Sequence, residues 1–399
     1  MKKVLISGAG IAGSALAYWL NHCGFDTTLI ERSPVLRLGG QAVDIRGVAL
    51  KVVAKMGLGR KVRSMRTRMR GMSVLDGDGD EISRSTEMTF SSGRLDGDDV
   101  ELLREDLAQL FYERISDSSR YIFGDSIRTI DQKADGVRVT FEHASAGDFD
   151  LVIGADGLHS RVRALCFGDE EQCLAPLGMQ TAIFSTDNFL GLKDWQVWLR
   201  GGDAGYGIYP VRNNSELRIT LGYAADGAGR GIDDVDWQKH RAAERVGHLR
   251  WKTPAIVEAM WAAKDFYTDV MAQIHMPRWS TGRIALLGDA AYCASPLSGQ
   301  GTSLALVGAY VMANELSRGN GDHGAAFDRY EERMRPFVLR NQALATERPL
   351  QPASPQSIDA AKNAISLDDL DAVTPNAQRS QATARMKRDP ISSAARRET

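Results

Sequence analysis

The chain has 399 residues, 43% of them apolar and 25% charged, with a formal net charge of −2. This is the composition of a globular protein larger than one average domain, and a charge so near neutral gives no reason to expect nucleic acid or an anionic membrane as the main partner. No run of about 18 apolar residues marks a membrane span, and Met1-Lys2-Lys3 leads into a strand rather than a secretory signal, so a cytoplasmic protein is expected.

The first predicted element is a short apolar strand through Val4, Leu5 and Ile6. It runs into Gly8-Ala9-Gly10-Ile11-Ala12-Gly13, then a helix, then a second strand, Thr27 to Ile30, ending at Glu31. Strand, glycine turn, helix and terminal acid together predict a βαβ unit for the adenosine end of a dinucleotide. Gly8 permits the tight turn, Gly10 lets backbone approach a pyrophosphate, and Gly13 lets helix and strand pack closely. The helix N-terminus, opening at Ile11 and Ala12, offers free N–H groups to phosphate, and Glu31, about 20 residues on, can accept from ribose hydroxyls.

Further along come Gly39-Gly40-Gln41-Ala42-Val43-Asp44-Ile45-Arg46 and, on a predicted helix, Leu102-Leu103-Arg104-Glu105-Asp106-Leu107. Leu151-Val152-Ile153 reads as a buried strand ending in Gly154-Ala155-Asp156-Gly157, followed by a segment to Arg163. Between 173 and 276 strand-like runs alternate with turns: Thr181 to Ser185, Gln196 to Leu199, Gly205 to Pro210, Leu217 to Leu221. Residues 73 to 94 read similarly, and Val235 to Trp261 turns helical. Ile284 to Leu287 reads as another buried strand, ending in Gly288-Asp289 where open α/β sheets bind ligands, and Ser295-Pro296-Leu297-Ser298-Gly299-Gln300-Gly301-Thr302 leads into a helix. A helical stretch from about Phe327 to Thr346 is broken by Pro349, Pro352 and Pro355. A further helix is expected from Gln356 to Leu370, and the polar, basic remainder is expected to be mobile.

The four cysteines form no CxxC, and the seven histidines show no metal-ligand spacing, so free thiols and no metal are expected. Gly-x-Ser-x-Gly is absent. A second GxGxxG is also absent, since Gly227 to Gly231 follows no strand and reads as a loop; this disfavours a separate nicotinamide domain.

In their order, the Gly39–Arg46, Leu151–Arg163 and Gly282–Ala291 stretches and the Ser295–Thr302 run resemble the FAD-dependent aromatic hydroxylases of the para-hydroxybenzoate hydroxylase fold. Within these, the Gly39–Arg46 stretch and the Ser-Pro-Leu-Ser-Gly-Gln-Gly-Thr run are most similar to the tetracycline-inactivating monooxygenase branch, over about residues 1 to 345. The resemblance implies FAD held by Gly8, Gly10, Ile11, Ala12, Gly13, Glu31, Arg32, Gln41, Asp44, Arg104, Asp156, Asp289, Pro296, Gly299, Gln300, Gly301 and Thr302, with Arg37 near the nicotinamide cofactor. It implies NADPH or NADH as transient reductant, and a flavin C4a-hydroperoxide giving one oxygen atom from O2 to an aromatic or polycyclic substrate such as a polyketide or tetracycline-like molecule. Arg46 is the candidate catalytic residue, steering a phosphate or substrate oxygen; a structural ion pair is the alternative. Tyr292 stands where related chains often have His.

The expected fold is α/β. A discontinuous Rossmann-like FAD-binding domain (1–72, 95–172, 277–345) carries an inserted antiparallel-sheet substrate domain (73–94, 173–276), then a C-terminal bridging helix within 346–372 and a mobile polar tail, 373–399. Met179, Phe184, Trp198, Tyr206 and Tyr209 are candidates for an apolar substrate wall, and a monomer is expected. The competing readings are a flavin-binding sensor without turnover and a flavin halogenase. The halogenase needs Trp-x-Trp-x-Ile, which Trp195-Gln196-Val197-Trp198 does not supply.

Overall fold

A computed structural model describes residues 1–37, 39–225, 234–348 and 353–370. The Gly227–Gly231 loop, Pro349, Pro352 and the tail lie outside the described residues. The chain opens with β1 (Lys3–Ser7), α1 (Ile11–His22), β2 (Asp26–Glu31), β3 (Ala42–Ile45), α2 (Val48–Lys55), α3 (Gly59–Ser64), β4 (Met72–Leu75), β5 (Glu81–Ser85), β6 (Met88–Thr89), β7 (Gly93–Arg94), β8 (Val100–Leu103) and α4 (Arg104–Ile115). Then come β9 (Ser119–Phe123), β10 (Ile127–Gln132), β11 (Val137–Phe141), β12 (Gly147–Phe149), β13 (Leu151–Gly154), α5 (Arg161–Cys166), β14 (Leu174–Asp187), β15 (Gln196–Gly201), β16 (Ala204–Val211) and β17 (Glu216–Ala224). The rest is α6 (Val235–Val246), α7 (Thr253–Ala262), β18 (Tyr267–Ile274), β19 (Ser280–Thr281), β20 (Ile284–Leu286), α8 (Asp289–Tyr292), α9 (Gly301–Arg318), α10 (His323–Ala343) and α11 (Pro355–Lys362).

Two large sheets dominate. One runs β19-β20-β13-β1-β2-β9, with every pairing parallel except β19 with β20. Its central strands are apolar throughout because both faces are covered: Val4, Leu5, Ile6, Val152 and Ile153 have no exposed surface. Helices α1, α4, α9 and α10 pack beside one another against it. Strands β10 to β12, absent from the sequence reading, form a separate antiparallel meander.

The other sheet runs β18-β14-β17-β16-β15-β4-β5 and draws on two stretches far apart in sequence, since β4 pairs in parallel with β15, Trp198 opposite Val74. Alternation gives it two faces. One presents Phe184, Leu199, Tyr206, Ile219 and Leu221 to Ala242, Val246, Ile256 and Met260 of α6 and α7. The other carries a row in register across four strands, Trp198, Gly207, Thr220 and Ile183.

The expected C-terminal helix is shorter than predicted. It stops at Lys362, with Asn363 Nδ2 donating back to the Asp359 carbonyl (3.1 Å), and the chain continues to Leu370 without further helix. Among the described residues no helix is long and apolar enough to cross a membrane.

Candidate functional site

The glycine turn after β1 separates two kinds of glycine. A Cβ on Gly8, whose φ is +99°, would lie 2.5 Å from the Ala155 carbonyl oxygen, and one on Gly13 would lie 2.0 Å from that of Gly8. Packing forbids side chains at both. A Cβ on Gly10 would meet nothing within 4 Å. Gly10 therefore borders open space at the N-terminus of α1, where Ile11, Ala12 and Gly13 begin a helix whose first N–H groups lack intrahelical partners. At the end of β2 the Glu31 carboxylate accepts from the Ala9 and Ser33 N–H groups, each at 3.0 Å, which ties the turn to the strand. Arg32 is exposed beside it.

Strand β20 brings Gly288-Asp289 to the same place. Gly288 (φ +65°) lies so near α1 that a Cβ there would be 3.0 Å from the Ala12 Cβ, and one on Gly301 would be 3.8 Å from Asp289 Oδ1. The starts of α1 and α9 and the Asp289 carboxyl thus share one cleft. Asp289 lies deep in the fold, where desolvation raises its pKa, yet the residue is solvent-exposed through the opening. Cys293 is its neighbour. Pro296 and Leu297 are exposed at the rim, and Gly299, at φ +63°, turns the chain into Gln300, Gly301 and Thr302 at the start of α9. Gln300 has 0% exposure, and neither end of its amide has a partner. A buried amide left in that state costs about 1–3 kcal/mol. A Cβ-free wall at Gly10, an accessible deep carboxyl and an unpartnered buried amide are what a dinucleotide-sized polar group would satisfy, so these residues fit FAD.

Beside this cleft Asp44 and Arg46 form a buried pair, Nη2 to Oδ2 at 2.9 Å. Burial and the nearby Glu101 and Asp99 carboxylates push Asp44 up to about 7, against the pull of Arg46. The guanidinium lies against Gly299, 3.5 Å from where a Cβ would stand, and donates to the Ser91 carbonyl (3.0 Å). The Ser91 hydroxyl accepts from Gln196 Nε2 (2.5 Å), and Gln196 Oε1 accepts from Trp198 Nε1 (2.9 Å). A hydrogen-bonded chain therefore links the Gly299 loop to the seven-stranded sheet. Ser303 strengthens the junction by accepting from the Arg46 N–H (2.9 Å). Sequence reasoning missed Ser91, Gln196 and Ser303; only Ser303, inside the Gly299 to Thr302 run, carried any local signal.

Arg104 opens α4 with its N–H on the Gln41 carbonyl (3.2 Å) and Nη1 on the Arg37 carbonyl (3.4 Å). Burial, and then the adjacent Arg37 charge, lower it to about 10, while Glu31 pulls the other way. The exposed Arg37 lies over the Tyr267 ring at 4.3 Å. Tyr267 donates to Asp269 Oδ2 (2.5 Å), and Asp269 Oδ1 meets His159 Nε2 (3.0 Å), whose Nδ1 meets Glu170 (2.9 Å). This relay joins the segment after β13 to β18. The sequence did not announce it, because its members are 110 residues apart.

Asp156 and the five wall candidates have defined places in the fold. Asp156 accepts from Ser160 Oγ (2.5 Å), Ser7 Oγ (3.1 Å), the Arg161 N–H (2.9 Å) and the Val162 N–H (3.1 Å). Three of these bonds fall on Oδ2 and one on Oδ1, so the carboxylate ties β1 to the start of α5. The five wall candidates also divide. Phe184 and Tyr206 face α6 and α7, Tyr206 bonding Thr253 Oγ1 at 2.9 Å. Tyr209 is buried, and its hydroxyl accepts from the Ala42 N–H (2.8 Å), joining β16 to β3. Trp198 and Met179 remain half-buried on the opposite face: a Cβ on Gly207 would be 2.5 Å from the Trp198 ring, and one on Gly222 would be 3.9 Å from Met179 Cε. Phe90 meets Trp198 edge-on at 5.5 Å. Among the described residues no cluster of three metal-ligating side chains occurs.

Residues 1–345 match the model of a family described as FAD binding domain. A Mycobacterium tuberculosis protein of unassigned function is 48% identical over 347 residues, covering 87% of this chain and 93% of its own. A flavin-dependent monooxygenase of Legionella longbeachae is 38% identical over 340 residues, covering 85% and 87%. The crystal structure of tetracycline destructase Tet(51) superposes with a TM-score of 0.83 at 35% identity, covering 92% of this chain and 99% of that one.

Proposed function

This chain belongs to the FAD binding domain family and is a flavin-dependent monooxygenase, and from that premise we propose that it uses NADPH or NADH and O2 to place one oxygen atom on an electron-rich carbon of an aromatic or polycyclic small molecule. A polyketide or tetracycline-like compound is the substrate class we favour, because the destructase resemblance spans both sheets. FAD, when bound, supplies oxygen activation and transfer after reduction by the nicotinamide.

The protein binds, orients and shields. The backbone around Gly10 and the N-terminus of α1 would take the pyrophosphate. Asp289 would accept from the ribityl hydroxyls. The Gln300 amide and the N-terminus of α9 would face the ring system, where positive helix-end charge favours an anionic reduced state. Arg104, with no carboxylate in direct contact among the described residues, adds positive charge near Glu31. The substrate would lie on the sheet face turned away from α6 and α7, against Trp198, Met179 and Phe90, which would exclude water. Arg46 is held by Asp44 and Ser91, so its part is to brace the Gly299 loop.

One observation carries this reading: the deep, solvent-reached Asp289 beside the partnerless Gln300. The test is to load purified protein with FAD and follow nicotinamide oxidation with tetracycline and a panel of polycyclic phenols under labelled O2. Substrate-stimulated oxidation with one labelled oxygen atom in the product is expected. Tight flavin binding with no stimulation by any member would favour a sensor instead.

A further inference from the structure

The surface formed by α2, α3 and the run leading to β4 takes no part in that site. From Arg60 to Arg70 the chain exposes Arg60, Lys61, Arg63, Arg66, Arg68 and Arg70, and no acidic residue occurs between Arg46 and Asp76. Local structure aims them outward. Leu58 and Val62 turn inward and are buried. The following run is extended and pinned by the Thr67 N–H on the Glu101 carbonyl (2.8 Å) and the Arg70 N–H on the Asp194 carbonyl (2.7 Å). Its two-residue alternation buries part of Thr67 and Met69 and sends Arg66, Arg68 and Arg70 to one side, about 7 Å apart.

Some exposed arginines elsewhere are paired, Arg84 with Glu81 (2.7 Å), Arg94 with Asp96 (2.6 Å), Arg138 with Asp148 (2.6 Å) and Arg278 with Asp328 (2.6 Å), and those among the described residues that are not, such as Arg120 and Arg200, do not follow one another in a run. Among the described residues, none of the six meets a carboxylate at ion-pair distance. A second observation lies at the edge of the same surface. The last described residue, Leu370, accepts from the Tyr310 hydroxyl, and the Lys55 ammonium of α2 lies 5.9 Å from the Tyr310 ring. The chain that continues from there carries Arg379, Arg385, Lys387, Arg388, Arg396 and Arg397 against three acids. That stretch of sequence has the same sign as the face and so does not supply complementary charge.

We propose that this face docks on a bilayer surface rich in anionic headgroups. The run exposes no aromatic side chain on which bases could stack, which disfavours single-stranded nucleic acid. Its apolar residues point inward, so nothing inserts between acyl chains. The contact is electrostatic, reversible and salt-sensitive. A net charge of −2 conceals it, because the acids are elsewhere. The proposal rests on no part of the flavin assignment.

The test uses the full-length, FAD-loaded protein with sedimented vesicles of phosphatidylcholine alone or mixed equally with phosphatidylglycerol. Binding to the mixed vesicles only, released by salt, is expected. The triple variant Arg66→Gln, Arg68→Gln, Arg70→Gln should bind them roughly a hundredfold more weakly with unchanged flavin content. The salt titration of the unmodified protein decides the matter even if that variant folds poorly. Equal binding to neutral vesicles, no binding to either, or tighter binding to duplex DNA at the same ionic strength would overturn the proposal.

Discussion

Gly10 and Gly13 are three residues apart and answer to different forces. Gly13 is imposed by the protein, since a Cβ there would collide with the Gly8 carbonyl at 2.0 Å; Gly10 has open space in front of it. Gly13→Ala should therefore destabilise the flavin-free protein by about 2–4 kcal/mol, as overpacking at a backbone contact does. Gly10→Val should cost it about 1 kcal/mol or less, the scale of a poorer N-cap, while abolishing flavin retention. Melting curves of the stripped proteins, read with the visible absorbance of the loaded ones, separate the two. Asp289 makes a similar distinction. Its carboxyl opens on the cleft with a raised pKa, so Asp289→Ala should leave the stripped protein about as stable as before, yet colourless after purification. Full flavin content in that variant would refute the role given to Asp289. These residues were legible in the sequence because each sits in a short, contiguous motif. The motif around Asp156 was clear in the same way, but the four donors that tie it to β1 and α5 could not be seen.

At the level of elements, the two-residue alternation of β14 to β17 was readable, and the side each residue faces was not. Aromatic residues occupy both faces, and the covering helices α6 and α7 follow β17. Only their packing shows that Phe184 and Tyr206 are core while Trp198 is not. The row through Trp198 and Gly207 gives a prediction. Gly207→Ala would press a methyl group into the indole at 2.5 Å, and the ring, half-exposed, would swing into the space above the sheet. We expect flavin content to hold and KM for the substrate to rise about tenfold, with kcat changed less; an unchanged KM would remove Trp198 from the wall. Gly47 offers a parallel case for α11. Its φ is +52°, and a Cβ there would be 2.5 Å from the Lys362 carbonyl, beside the Lys362–Asp99 ion pair at 3.0 Å. Gly47→Ala should loosen α11 and lower the melting temperature by several degrees, with a loss of about 1–3 kcal/mol.

Across the whole molecule, the His159 relay holds the two large sheets together. Hydrogen bonding to Asp269, then charge from Asp269 and Glu170, raises the imidazole from its ordinary 6.5 to about 9, despite partial burial. Because the folded value is the higher one, its stabilisation is complete below about pH 6.5 and is lost as pH rises through about 9. His159→Phe should therefore melt lower than the unmodified protein at mildly acid pH, and the gap should close at alkaline pH. A gap that widens with pH would contradict the protonated bridge. Nothing local in the sequence signalled this relay, and the basic run from Arg60 to Arg70, though local, was passed over. The relay needs residues from β18 and from the segment before α5, and the face vanishes in a charge total that averages over the chain. The α/β class and the order of motifs were legible because hydrophobic runs and glycine turns are local; the contacts between the two sheets are not.

The strand order also constrains biosynthesis. β1 precedes the other described strands in the chain but sits between β2 and β13, and β20, made much later, lies on the far side of β13. A nascent chain arrested before Gly301 would lack α9, which packs on α1 and α2, and should remain pale and prone to proteolysis. Pigment should appear only once synthesis has passed Arg318, so colour acquisition would report completion of α9 rather than of the first βαβ unit.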